Sequence, residues 1–409
     1  MSGPCVIVGA GPAGMLAAIF AARGGQRVRL LDQNGFAGKK LNITGKGRCN
    51  VTNDCELQTF LQNVPRNGRF LFSAFSGFPP GEVMAFFEDL GVPLKVERGR
   101  RVFPASDRAR DITDALLREL SALGVQIEKK YISGLWIENG ILRGVRSRNE
   151  RIEAGAVVLA TGGKSYPLTG ADGSGYALAE QAGHTVTETE ASLVALTSPD
   201  ALCAELQGVA LKNVTLSLTA GGKISHREEI GEMLFTHFGL SGPMVLSASA
   251  HWKPEMDVLI DLKPGLTEEK LDARLLRDFE ERINQNLDNA LRGVLLKGLV
   301  PVILGLCGID GETKVNAVTR LQRQALVHTM KNLPVAISGK GPIEEAIITR
   351  GGVETKEVNP KTMESKLLPG LYLAGELLDV DAYTGGFNLQ IAFCTGKAAG
   401  QAIAESGDI

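Results

Sequence analysis

Cys5-Val6-Ile7-Val8-Gly9-Ala10-Gly11-Pro12-Ala13-Gly14 is the stretch on which the reading of the fold turns. An apolar run ends in a G-x-G-x-x-G turn, Ala13–Arg23 follows with a helical pattern, and Arg27–Asp32 reads as a second strand. This is the opening βαβ unit of a dinucleotide-binding fold. Gly9, Gly11 and Gly14 allow a tight turn and close approach to a diphosphate, which then sits at the positive end of a helix entered through Pro12 and Ala13. Asp32 stands 18 residues after Gly14, with Gln33 beside it, where a carboxylate accepts hydrogen bonds from a ribose. Its charge repels a 2′-phosphate, so NADP is not expected at this turn.

That motif alone leaves NAD and FAD open; the far end of the chain decides between them. Leu371-Tyr372-Leu373-Ala374-Gly375-Glu376 reads as a strand running into a turn with an acid. Thr384-Gly385-Gly386-Phe387-Asn388 then opens a long helix, Gly386–Glu405. A plain NAD enzyme has no need of such a return, whereas FAD is long and is held at both ends. Glu376, after Gly375, is placed for the ribityl or diphosphate region. The N–H groups of Gly386, Phe387 and Asn388, after Gly385, are expected to face the flavin pyrimidine.

Between these ends, Glu82–Leu90 and Asp107–Leu123 read as helices, the second capped at Ser106-Asp107. Val125–Arg148 reads as a three-stranded antiparallel meander turning at Gly134 and Asn139-Gly140. Ala156–Ala160 is a buried strand whose end, Ala160-Thr161-Gly162, joins the cofactor set. From about Ala191 the texture changes to alternating β-branched and polar residues, and Leu266–Leu333 is predominantly helical. The expected division is a discontinuous cofactor domain, 1–190 and 341–409, with a β domain at 191–265 and a helical domain at 266–340 inserted.

Gly38-Lys39-Lys40-Leu41-Asn42-Ile43-Thr44-Gly45-Lys46-Gly47-Arg48-Cys49-Asn50-Val51-Thr52-Asn53 resembles the loop of the BaiN/RdsA (YhiN-like) family of NAD(P)/FAD-dependent oxidoreductases. Leu234–Pro243 and Gly375–Asn388 share the resemblance, which covers essentially the whole chain. It implies an α/β fold: a glutathione-reductase-type, Rossmann-like FAD domain with inserted β-barrel-like and helical domains. It also implies FAD reduced by NADH or NADPH; because the fingerprint and the C-terminal return clamp both ends and no flavinylation motif is apparent, the FAD is expected to be non-covalent. The implied acceptors are a uridine of large-subunit ribosomal RNA, reduced to dihydrouridine, or an unsaturated steroid-type compound. A non-turnover FAD protein acting as an assembly or RNA-binding factor is the alternative of another class. Related loops carry three glycines before Arg-Cys-Asn; here Lys46 replaces the middle one.

The loop also makes chemical sense residue by residue. Lys39, Lys40 and Arg48 are cations for a diphosphate, and Gly45 and Gly47 let backbone approach the isoalloxazine ring. Reducing a carbon–carbon double bond requires a proton as well as a hydride, so Cys49 and His237 are the candidate acids. For Cys49, packing or a flavin contact is the more ordinary role. Ser241 and Pro243 are read as the cap and first turn of a helix. Lys95, Arg98, Arg100, Arg101, Arg108 and Arg110, against Glu97 and Asp107, give +4 within 16 residues, a candidate RNA patch or a solvated face.

Over all 409 residues, 44 Lys+Arg face 46 Asp+Glu, so net charge gives no general attraction to nucleic acid or membrane. The six scattered cysteines and five histidines lack metal-ligand spacing and fit a reducing, cytoplasmic setting with no metal and no membrane span.

Overall fold

The computed structural model describes residues 3–34, 36–148 and 150–406. The chain divides into two compact units: residues 1–192 with 343–409, and residues 193–342.

The first unit is built on a five-stranded parallel sheet in the order Leu371–Leu373, Ala156–Leu159, Cys5–Val8, Val28–Asp32, Ile127–Lys129. The four apolar residues of Cys5–Val8 are buried, as expected for a central strand covered on both faces. Pro12–Arg23 forms the first helix, with Pro12 at its first turn, where a missing N–H costs nothing. The closing helix, Phe387–Glu405, packs directly on it. A Cβ added to Gly396 would lie 2.2 Å from the Ala13 carbonyl oxygen, and one on Gly400 2.5 Å from that of Ala17. Backbone therefore meets backbone along this crossing, and larger side chains would force the helices apart. Aromatic rings fill the far side, with Phe60 stacked on Phe75 at 4.2 Å and Phe87 edge-on to Phe393 at 5.3 Å.

Two sequence expectations are corrected in this unit. The meander is formed by Gly134–Glu138, Ile141–Ser147 and Glu150–Glu153, while Ile127–Lys129 pairs in parallel with Leu30–Asp32 at the edge of the main sheet. Its Ile-Glu-Lys alternation suits either partner, and only tertiary pairing distinguishes them. Leu41–Asn53, whose Gly, Asn and Thr content predicts an ordered loop, instead starts within a helix, Lys39–Gly47, interrupted by non-helical Thr44, Gly45 and Lys46.

The second unit has a seven-stranded antiparallel sheet centred on the long hairpin Ala210–Ala220 and Lys223–Thr236. Its edge strands, Leu333–Val335 and Gly339–Lys340, are separated by three residues, so the sheet curls until its edges are neighbours in the chain. Helices Glu268–Glu280, Leu299–Cys307 and Arg320–Lys331 share one buried cluster with these strands. Ser241 ends the strand Gly239–Ser241, and Gly242 rather than Ser241 precedes the helix Pro243–Ser249, with no side-chain cap.

Candidate cofactor cleft

A cleft of about 1050 Å³, counting its open mouth, lies in the first unit at the carboxyl ends of the parallel strands. Open α/β sheets place ligands there. The walls include Gly9, Gly11, Pro12, Ala13 and Asp32 from the opening unit, and Lys39 and Lys40 from the next helix. Ala160, Thr161 and Gly162 come from the strand end, and Gly375, Glu376 and Asn388 from the returning segment. Both ends of the sequence thus meet in one cavity.

The glycine turn divides its labour. A Cβ on Gly9 would lie 2.4 Å from the Ala160 carbonyl oxygen, and one on Gly14 1.9 Å from that of Gly9, so these two serve packing. A Cβ on Gly11 would meet nothing within 4 Å. The first N–H groups of the helix have no intrahelical acceptor, so the turn presents open space and free donors, the chemistry a diphosphate fits. Asp32 holds the turn: its Oδ2 accepts from Ala10 N at 2.8 Å and its Oδ1 from Asn34 N at 2.7 Å. Each oxygen keeps a lone pair for a ribose hydroxyl.

Opposite, Lys40 Nζ lies 2.7 Å from Glu376 Oε2 and also donates to Ser165 Oγ. Glu376 Oε1 accepts from Thr349 N at 2.9 Å and from the Ser165 hydroxyl at 3.0 Å. Lys39 Nζ donates to Asn34 Oδ1 at 3.0 Å. Asn388 lines the cleft and pins the preceding turn, accepting from Ala382 N at 2.9 Å and donating to Ala382 O at 2.7 Å.

Other predicted residues stand apart from these walls. Gln33 donates to the Gly170 carbonyl oxygen at 2.9 Å. Arg48 bonds to Glu97 and to Asp107, and stacks at 4.2 Å over Phe103; these acids raise the guanidinium further and hold it off the cleft wall. Gly385 and Gly386, at φ 125 and 99, fit against Asn53 and Thr52: a Cβ on Gly386 would lie 2.3 Å from the Thr52 carbonyl carbon. Phe387 packs in the aromatic core. Of the three residues expected to face a flavin pyrimidine, the cleft wall takes Asn388.

Cys49 is also off the wall. It is fully buried in a left-handed conformation, φ 60, with Gly45 on the same loop, and burial pushes its thiol up to about 12. An enclosed thiol that holds its proton this tightly is a poor acid for an external carbon, so the expectation of a proton donor here is set aside. His237 is exposed in the second unit, at the turn between Lys223–Thr236 and Gly239–Ser241, with its ring edge-on to Phe238.

Sequence reasoning missed Asn34, Ser165 and Thr349. Asn34 is two residues past Asp32 and within reach of motif reading; Thr349 sits in no motif. The basic stretch is largely paired: Lys95 with Asp107 at 2.8 Å, Arg100 with Asp54 at 3.2 Å, Arg108 with Asp111 at 3.1 Å. Among the described residues no group of His, Cys, Asp or Glu is placed to hold a metal, and no helix is long and apolar enough to cross a membrane.

Residues 4–402 match the family described as the HI0933-like protein Rossmann domain. The chain is 34% identical over 414 residues to a 3-dehydro-bile acid delta(4,6)-reductase of Clostridium scindens, with 98% of each chain covered. It is 34% identical over 399 residues to a ribosomal RNA dihydrouridine synthase of Escherichia coli, covering 97% of this chain and 96% of that one. A second protein of that name, from Haemophilus influenzae, is 29% identical, with 97% and 98% covered. Among solved structures, a 3-ketosteroid-delta4-(5alpha)-dehydrogenase of Rhodococcus jostii superposes with a TM-score of 0.54 at 16% identity, covering 98% of this chain and 96% of that one. At that identity the likeness concerns the fold.

Proposed function

The chain belongs to the HI0933-like family and is an oxidoreductase, and from that premise we propose that it holds FAD non-covalently in the cleft, takes reducing equivalents from NADH or NADPH, and reduces a carbon–carbon double bond conjugated to a carbonyl. The acceptor we favour is a uridine of large-subunit ribosomal RNA. The observation that carries the cofactor is the meeting of the Gly9–Gly14 turn with Glu376 and Asn388 in one cavity. Two relatives are named for dihydrouridine in ribosomal RNA and one for a bile acid reductase. Both names describe adding hydrogen to a double bond next to a carbonyl, and that shared chemistry supports the reaction class.

FAD supplies the hydride chemistry when bound. The chain supplies position: the helix that begins at Pro12 binds a diphosphate, Asp32 orients a ribose, and the Lys40–Glu376 pair fixes the cavity wall against the returning segment.

A second reading, with a small unsaturated carbonyl compound of steroid type as acceptor, is favoured by the pairing of Lys95, Arg100 and Arg108 with acids. Mass spectrometry of ribosomal RNA from a deletion strain, with and without the gene restored, separates the two. Loss and recovery of one dihydrouridine supports the RNA reading; unchanged RNA, with turnover of a steroid dienone by the purified protein, supports the other. Acid precipitation should release yellow FAD into the supernatant, and flavin retained in the pellet sinks the non-covalent assignment. Failure of NADH to bleach the flavin anaerobically would favour a non-turnover protein.

A further inference from the structure

Among the described residues of the first unit, the buried polar atoms without a hydrogen-bond partner include Asp379 Oδ1, Asp381 Oδ1, the Tyr176 hydroxyl and Thr161 Oγ1. Native proteins leave few such atoms, so a group of them calls for a reason. They share a neighbourhood. Thr161 lines the cleft. The position a Cβ would take on Gly175 lies 1.8 Å from Thr161 Oγ1, so that hydroxyl sits against the helical turn carrying Tyr176. Burial raises the Tyr176 phenol, and the charges of Glu376 and Asp379 push the same way. Asp379 and Asp381 flank Val380, itself on the cleft wall, and are 1% and 2% exposed.

The two carboxyl groups differ in what holds them. Asp379 Oδ2 accepts from Arg66 Nε at 3.0 Å and from Asn67 Nδ2 at 3.2 Å, and Arg66 Nη2 lies 2.9 Å away. That is the setting of a carboxylate. Asp381 Oδ2 accepts the Ser192 hydroxyl at 2.9 Å, and the positive charges of Arg350 and Arg66 reach it through space. The charge of Asp379 opposes them, and Glu354 adds to the negative charge around Asp379. Burial is the largest influence on both carboxyls and moves both upward. Two buried acids on either side of one residue oppose each other's ionisation, and Asp381 lacks the guanidinium bond that Asp379 has.

We propose that Asp381 stores the proton that the acceptor's double bond requires and passes it toward the cleft wall at Thr161 through buried water bound at the unpartnered atoms of Asp379 and Tyr176. The proposal rests on the reductase reading above. In the balanced reaction one acceptor carbon gains a hydride from the reduced nicotinamide, its neighbour gains a proton, and the nicotinamide leaves oxidised. Asp381 ionises as the proton leaves and is reprotonated from solvent. The thiol of Cys49, enclosed and raised, is not needed.

The test uses the full-length, FAD-loaded protein and its Asp381→Asn variant. Infrared spectra of the resting wild type should show a protonated carboxyl band that shifts in heavy water and is missing from Asp381→Asn; persistence of the band in the variant overturns the assignment. In stopped-flow, NADH should reduce the flavin of the variant within about twofold of wild type. Reoxidation by the acceptor should slow by ~10²–10⁴-fold, the scale of lost general-acid help, and lose its decline toward alkaline pH. The acceptors are large-subunit ribosomal RNA from a deletion strain and a steroid 4,6-dien-3-one. Equal slowing of both half-reactions, or unchanged reoxidation, overturns the relay. If neither acceptor oxidises the wild-type flavin, the functional reading fails, while the infrared band still decides whether Asp381 carries the proton. Tyr176→Phe, which keeps the ring, serves if Asp381→Asn does not fold: reoxidation at least tenfold slower with full FAD content supports the relay, and wild-type reoxidation overturns it.

Discussion

Lys40 and Glu376 close an ion pair of 2.7 Å across 336 residues of sequence. Their side chains are 22% and 13% exposed, so the pair is sheltered enough to matter and open enough that water takes part of its strength. Glu376 is also the acceptor for Thr349 N and for Ser165. Replacing it by alanine strands three donors at once. Glu376→Ala should therefore lower stability by about 1–3 kcal/mol and weaken FAD binding. Glu376→Gln keeps an acceptor for the neutral donors and should lose less. Thermal unfolding with and without added FAD checks this; equal, negligible losses in both variants would show that the pair is ornamental.

Gly11 and Gly14 should fail in opposite ways. Gly11→Val adds bulk in the open space of the cleft, so the folded protein should form without FAD. Gly14→Ala drives a methyl group into the Gly9 carbonyl and should impair folding itself. Circular dichroism and flavin absorbance of the two purified variants distinguish the cases, and a Gly11→Val protein that retains yellow colour contradicts the diphosphate assignment.

Cys5, Cys49 and Cys394 each have a thiol pushed by burial from an ordinary 9.0 to about 12. A raised folded value means that the unfolded chain gives up its protons first as pH rises. Stability is thus unaffected by these groups below about 9 and falls between about 9 and about 12, by up to ~1.4 kcal/mol per pH unit for each thiol. Denaturant midpoints measured across that window should decline. Substituting Cys394 by alanine should flatten the decline, and an unchanged slope would argue against the linkage.

Cys49→Ser should leave reoxidation by the true acceptor within a few-fold of wild type, because the buried thiol does not reach the cleft wall. Thiol reagents should label Cys49 only after unfolding. A selective slowing of reoxidation by ~10² or more would restore the cysteine as the acid.

His237→Ala should keep full FAD content, since the histidine lies in the second compact unit and the described cleft walls all come from the first. Acceptor reduction should fall. Loss of flavin on purification would place the histidine with the cofactor instead.

What was legible in the sequence was local. The Gly9–Gly14 turn with Asp32, and the Gly375–Asn388 return, are short motifs whose chemistry is written in consecutive residues. Non-local partners were not legible. Arg48 looks like a phosphate ligand until Glu97 and Asp107 are seen against it. Gly386 looks like part of a cofactor loop until the Thr52 backbone fills the space beside it. Ile127–Lys129 is too short for periodicity to choose between a hairpin and the edge of the parallel sheet. Asp381 stands in the right segment, but burial and an empty hydrogen-bonding site are properties no string of letters displays.

The joining of both chain ends in one cavity sets an order of events on the ribosome. Residues 193–342 can complete their own sheet and core while the rest is still being made. Until Leu371–Leu373 emerges, Ala156–Leu159 is an uncovered edge, and until Phe387–Glu405 follows, Ala13 and Ala17 lack the helix that packs on them. A nascent chain therefore carries a finished insert and an unfinished cofactor domain from about residue 343 until Phe387–Glu405 has been made. The cleft can close only after Phe387–Glu405 has been made, so a cofactor held there would act late in the folding of this domain.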